Sequence, residues 1–269
     1  MRRNFGCSER ESEHKDREIM KLRVYVDRIS QPSRAILIFC KINGIDFEEV
    51  KVNLAKGEHR RPEFKDINPM KQVPAVVDGK LKLFESHAIL RYLSCAYPGI
   101  PDHWYPADLS KRAKIDSVLD WHHSNLRRGA AGLVFNSVLA PALGYPLNLE
   151  AAADAEKILI YSLSKIESVW LHGNEKFLVD GLQPSIADLS LVCEIMQLEV
   201  LGLSERDRIL GSFTKVQKWI ENVKHSTYPH FEEVHALLYR AAEKFQGKEA
   251  VEPLHGLESK RKEYLKPKL

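Results

Sequence analysis

Asn68-Pro69-Met70-Lys71-Gln72-Val73-Pro74-Ala75-Val76-Val77-Asp78-Gly79-Lys80-Leu81-Lys82-Leu83-Phe84-Glu85-Ser86 carries the most specific structural instructions in the chain. Two β-rich runs, Ala75 to Val77 and Leu81 to Phe84, flank an Asp-Gly pair of the kind that a tight hairpin turn needs. Pro74 has no N–H for a sheet ladder, so it belongs at a strand entrance and holds Val73 extended with its backbone groups free. An extended peptide can pair with such a backbone. Glu85-Ser86 then opens the helical run Ala88 to Leu93, and a helix N-terminus suits a carboxylate. The stretch reads as a small-peptide clamp, with main chain offered at Val73 and an anion site at Ser86.

Toward the N-terminus, Leu22-Arg23-Val24-Tyr25-Val26 is a run of β-formers that suits a short buried strand. Ser30-Gln31-Pro32 is a helix-start signature, with a capping hydroxyl and a proline in the first turn, and the helix runs to Gly44. Phe47 to Val52 reads as a second strand, followed by a polar loop with Gly57, His59 and Arg60 and a short helix from Pro62 to Ile67. With the hairpin and a helix from Glu85 to Tyr97, the order is βαβαββα over residues 20–101. Prolines between 98 and 106 mark the exit, and residues 102–109 form the linker. Beyond it nothing looks like a strand. Helical patterns cover 110–138, 149–171, 185–201, 213–223 and 229–245, an all-helical domain over 110–246. Ser185 and Asp188 have the spacing of a capping box, with Pro184 and Leu189 as its staple.

At 269 residues with 44% hydrophobic and 29% charged residues, the chain has the length and composition of about two globular domains. The net charge is +3, too balanced for a nucleic-acid or membrane surface. Four scattered cysteines, Cys7, Cys40, Cys95 and Cys193, show neither a CxxC nor a metal-ligand spacing, which predicts free thiols in a reducing compartment. His122-His123 has no partner ligands at metal spacing, so no metal site is expected. Residues 1–19 hold five basic and five acidic side chains and little to bury, and are expected to be a disordered extension. The tail, 247–269, carries six basic residues against four acidic and is expected to be unpacked.

Taken together, Ser30-Gln31-Pro32-Ser33-Arg34-Ala35, the Val73-Pro74 before the hairpin, Phe84-Glu85-Ser86-His87-Ala88-Ile89-Leu90, Asp102-His103-Trp104-Tyr105-Pro106 and Trp121-His122 resemble the glutathione S-transferases. Within them the chain is most similar to the theta class, above all its plant members. The resemblance covers about residues 20 to 246. It implies a thioredoxin-like N-terminal domain with a mixed four-stranded sheet, followed by an all-α helical bundle. It also implies a homodimer, glutathione as co-substrate with no other cofactor, and an electrophile pocket between the two domains.

The same resemblance assigns roles to residues. Alone, a serine before a proline-started helix is a cap; in theta enzymes the serine at the position of Ser30 hydrogen-bonds the glutathione sulfur, making Ser30 a thiolate stabiliser and not a nucleophile. Pro74 is expected to be cis, presenting Val73 to the cysteinyl unit of the tripeptide as a one-residue β-augmentation. Ser86 is expected on the γ-glutamyl carboxylate and Glu85 on its ammonium; seen alone, these are a helix cap and a solvated first-turn acid. His59, Arg60 and Gln72 are expected at the glycine carboxylate, with Gln31 completing the glutathione contacts; a solvated loop is the plain alternative for the first three. Arg127 matches a position near the theta active site, as against a surface arginine beside Arg128. Trp121, His122, Asn125, Leu126, Leu237, Leu238 and Tyr239 are candidates for the electrophile pocket, although at helical spacing such residues are more often core.

The expected activity is conjugation of glutathione to hydrophobic electrophiles together with reduction of organic hydroperoxides, and the alternative is a non-catalytic ligand carrier or scaffold of the same fold. A thiol-disulfide enzyme would want a cysteine where Ser30 stands, and Cys40 lies too far into the helix. Pro267-Lys268-Leu269 resembles the tripeptide read by the peroxisomal import receptor, with proline in place of serine, so both a cytoplasmic and a peroxisomal pool are expected.

Overall fold

A computed structural model describes residues 21–142, 144–179 and 181–247. The expected N-terminal extension and the tail tripeptide Pro267-Lys268-Leu269 lie outside the described residues. The chain divides into two compact units at Ile100–Pro101.

In the first unit, β1 (Leu22–Val26) leads into α1 (Gln31–Ile42), β2 (Phe47–Lys51), a single 3₁₀ turn (Glu58–Arg60), α2 (Pro62–Lys65), β3 (Ala75–Asp78), β4 (Leu81–Phe84) and α3 (Ser86–Ala96). The sheet order is β2-β1-β3-β4. β1 pairs β2 in parallel, whereas β1 with β3 and β3 with β4 are antiparallel, the mixed sheet of a thioredoxin-like domain. Leu22, Val24 and Val26 alternate into the core along β1, and Gly79 supplies the positive φ of +59° that closes the β3–β4 hairpin. Tyr25, Val73 and Phe84 pack against the buried cluster of Val52, Phe64 and Ala75, so the strand entrance at Val73 is anchored by its own side chain. The loop before it is tied by Asn68, 2% exposed, whose amide nitrogen donates to the Gln72 carbonyl at 2.7 Å while its amide oxygen accepts the Met70 N–H at 2.9 Å.

The second unit is helical: α4 (Leu109–Ser124), α5 (Leu126–Val134), α6 (Leu149–Lys165), α7 (Ile186–Ile195), α8 (Leu203–Leu210), α9 (Thr214–Ser226) and α10 (His230–Gly247). The run from 110 to 138, expected as one helix, breaks at Asn125, where φ is −118° and ψ −90°. The Asn125 amide donates to the Trp121 carbonyl at 2.8 Å, the competition for backbone partners that makes asparagine a poor helix-interior residue. After α5 the chain passes a π turn, Phe135–Leu139, and α6 ends in another, Ile166–Trp170. α5 and α6 touch through Gly129, where an added Cβ would meet the Leu159 backbone nitrogen at 2.5 Å.

Every residue of α7 is buried, so its head must satisfy its donors without water. The expected capping box does this, with the Ala187 N–H on Ser185 Oγ at 3.2 Å and the Ser185 N–H on Asp188 Oδ2 at 2.7 Å. Asp188 Oδ1 also accepts the Leu178 N–H and the Trp219 indole N–H, each at 2.8 Å, tying α9 and the preceding loop to α7. A side chain 48 residues away caps α9, because both oxygens of Glu167 accept its first N–H groups at Lys215 and Val216. α8 has no counterpart in the sequence reading. Only Ile209 and Leu210 of its eight residues are buried, too few to make a periodic pattern.

Candidate functional site

The register of the sheet brings the first-unit candidates to one end. Val52 follows β2 and donates its N–H to the Val26 carbonyl at 2.8 Å, so the loop carrying His59 and Arg60 starts beside the exit of β1. Tyr25 pairs with Ala75, which puts Val73 at the same end, and Ala75 pairs with Phe84, which brings Glu85 and Ser86 there too. Ser30, Val73-Pro74, Glu85-Ser86 and the His59 loop all leave or enter strands at this single edge.

Ser30 caps α1 with extended backbone, φ −75° and ψ 125°, yet its hydroxyl makes no capping bond, so the plain helix-cap reading does not hold. It is 8% exposed. Two devices hold its turn. Arg34, fully buried in α1, donates through Nη1 to the carbonyls of Arg28 (3.1 Å) and Ile29 (2.8 Å). Asp27 accepts the Ser30 N–H on its carbonyl at 2.9 Å and the Ile29 N–H on Oδ1 at 3.0 Å. Arg28 reaches back to Glu49 of β2 through two bonds of 2.8 and 2.6 Å. Sequence reading missed Asp27 and Arg34, because nothing in their spacing marks a side chain that braces a loop.

The Val73–Pro74 bond is cis, as expected. Glu85 is exposed and holds φ +68°, a rare value for a residue with a Cβ, while its carbonyl accepts the Ile89 N–H at 2.9 Å. Ser86, almost buried, is the first residue of α3. Gln31, half-buried, opens α1, and Gln72 and Arg60 are exposed. His59 Nδ1 is buried without a hydrogen-bond partner. Burial, and then the adjacent Arg60 charge, lowers the His59 pKa, with Asp27 pulling the other way.

In the helical unit Arg127 is no simple surface cation. Its Nη1 donates to Glu194 Oε2 at 2.9 Å, and His122 Nε2 lies 3.4 Å from the same oxygen. Burial alone would raise the Glu194 carboxyl; the facing His122 and the Arg127 guanidinium outweigh it and hold the carboxyl below its ordinary range. Of the other pocket candidates, Leu126 and Leu238 are core, Trp121 packs edge-on against Trp170 at 4.7 Å, and Leu237 is exposed. A cleft of about 310 Å³ lies between α8 and α9, lined by Met196, Arg206, Leu210 and Lys218 among others, and none of the candidate residues faces it. Among the described residues no group of three or more His, Cys, Asp or Glu side chains could hold a metal, and burial pushes the Cys40 thiol far up.

A thioredoxin-like α/β unit followed by an all-helical unit, with loops converging at one sheet edge, defines the class of a glutathione transferase. Residues 20–94 match the family model described as the glutathione S-transferase N-terminal domain. Glutathione S-transferase T1 of Arabidopsis thaliana is 63% identical over 244 residues, 90% of this chain and 100% of that protein. Glutathione S-transferase T2 of the same plant is 64% identical over 227 residues, 84% of this chain and 38% of the longer relative. Among solved structures, a human theta-class glutathione transferase in complex with the glutathione conjugate of 1-menaphthyl sulfate superimposes with a TM-score of 0.76 at 35% identity, covering 85% of this chain and 91% of that one. The chain belongs to the glutathione S-transferases, as a theta-class enzyme of the plant type.

Proposed function

We propose that the enzyme joins glutathione to hydrophobic electrophiles through a thiolate held by the Ser30 hydroxyl, and that it also reduces organic hydroperoxides. The observation that carries this reading is the uncommitted hydroxyl of a nearly buried Ser30 at the sheet edge where Val73, Ser86 and His59 also converge. A free thiol has a pKa near 8.5, and lowering it by about two units takes about 2.7 kcal/mol. A hydrogen bond to a charged acceptor supplies roughly 1.5 to 3 kcal/mol, enough to account for most of that shift.

The remaining residues take the tripeptide end to end. Val73 pairs with the cysteinyl main chain, Pro74 fixes that presentation, and Gln31 lies alongside. Ser86 binds the γ-glutamyl carboxylate, favoured by the N-terminus of α3, and Glu85 takes the ammonium. At the glycine carboxylate stand Arg60, Gln72 and His59, the last with a buried ring nitrogen lacking a partner. Arg127, fixed by Glu194 and 37% exposed, takes the part of active-site support. With a hydroperoxide the thiolate attacks the O–O bond, releasing the alcohol after protonation and leaving a glutathione sulfenic acid. A second glutathione resolves it to the disulfide and water. The protein works as a homodimer, and Pro267-Lys268-Leu269 sends a pool of it to peroxisomes beside the cytoplasmic one.

The experiment is the ultraviolet thiolate absorbance of bound glutathione against pH, in the wild type and in Ser30→Ala, with turnover of an electrophile and an organic hydroperoxide on the same samples. A depressed thiol pKa that returns toward the free value in the variant, with turnover lost and binding kept, supports the reading. Binding with an unshifted thiol and no turnover in the wild type would instead make the protein a carrier.

A further inference from the structure

We infer that Asp27 is a positioning residue that couples the two ends of the glutathione site, holding the Ser30 turn and the His59 loop in one frame. The inference rests on the roles proposed above for Ser30 and His59. Asp27 stands just past β1 and divides its carboxylate between two segments. Oδ1 accepts the Ile29 N–H and its carbonyl the Ser30 N–H, so one side of the residue shapes the turn that carries the thiolate hydroxyl. Oδ2 accepts the Leu54 N–H at 3.0 Å, from a loop 27 residues further on.

That second loop is tied together by its own hydrogen bonds. The Asn53 N–H donates to Glu58 Oε2 at 2.8 Å, the Lys56 N–H to Asn53 Oδ1 at 2.9 Å, and the Glu58 N–H to the Asn53 carbonyl at 3.1 Å. The Arg60 N–H closes on the Gly57 carbonyl at 2.9 Å. A grip on Leu54 is therefore a grip on His59 and Arg60. No neutral side chain of this size replaces the carboxylate, because both of its oxygens must accept and an amide offers only one acceptor. Both bonds are charge-assisted, so their loss matters more than that of neutral ones. Arg34 braces the Ser30 turn as well, through its Nη1 bonds to the carbonyls of residues 28 and 29.

The test separates the two ends with two probes. S-methylglutathione has both carboxylates but no free thiol, so its affinity by calorimetry reads the peptide site; the pH titration of bound glutathione reads the thiolate site. In Asp27→Asn, affinity for S-methylglutathione is expected to fall about three- to tenfold, and the thiol pKa to climb toward the free value. His59→Ala should move only the affinity, and Ser30→Ala only the thiol. An Asp27→Asn protein that changes one readout alone, or neither, overturns the coupling. Failure of Ser30→Ala to shift the thiol would sink the serine reading and leave the coupling to a second measurement. That measurement is hydrogen exchange on the wild type, which also covers a variant that does not fold. S-methylglutathione is expected to slow exchange at the Ile29 and Leu54 amides together, and protection of residues 53–61 without residues 27–30 overturns the proposal.

Discussion

Glu194 is 1% exposed and still ionised, which is tolerable only because Arg127 and His122 face it. Its folded pKa lies below that of the unfolded chain, so the native state takes up its proton less readily. The stability it contributes is therefore present above the unfolded value, near 4.3, and is lost as the pH falls through the lowered folded value. Glu194→Gln is expected to flatten the acid limb of a stability-against-pH curve. It should also cost about 1 to 3 kcal/mol at neutral pH by denaturant unfolding, less than a fully buried pair because water screens part of Arg127. An unchanged acid limb would show that other carboxylates govern acid unfolding. The pair also explains how an exposed-looking arginine beside Arg128 can keep one orientation.

At the scale of elements, the contact between α5 and α6 is set by a single missing Cβ. Gly129 of α5 leaves just enough room for the Leu159 backbone of α6, and the neighbouring Gly132 would bring its Cβ to 3.0 Å from that of Ala155. Gly129→Ala raises intrinsic helix propensity but places a carbon 2.5 Å from a backbone nitrogen, which cannot rotate away as a side chain can. The clash wins. The helical unit is expected to lose about 1 to 3 kcal/mol, read as an earlier thermal transition, whereas a stabilised variant would mean that the helices slide apart freely. The head of α7 gives the complementary case, in which one carboxylate, Asp188, serves donors from Leu178, Ser185 and Trp219 and so makes three elements share one anchor.

At the scale of the whole molecule, each unit carries its own core and its own bracing. Residues 260–269 attached to a fluorescent reporter are expected to give punctate peroxisomal signal, and a purely diffuse one would remove the peroxisomal pool. The mass of the wild type in sedimentation is expected to be that of two chains, and a single-chain mass across micromolar concentrations would remove the homodimer.

The sequence by itself determined the βαβαββα order of the first unit, the hairpin at Asp78-Gly79, the capping box and the identity of the family. These are encoded locally, by alternation, turn chemistry and short motifs, and so can be read in a line of letters. Only the tertiary structure decided that the Ser30 hydroxyl is not spent on its helix, that Asp27 and Arg34 brace its turn, and that Glu194 grips Arg127. It also decided the break at Asn125 and the helix Leu203–Leu210, whose short polar run carries no period to read. Each of these depends on partners brought near by folding, such as Leu54 beside Asp27, and spacing along the chain holds no record of such contacts.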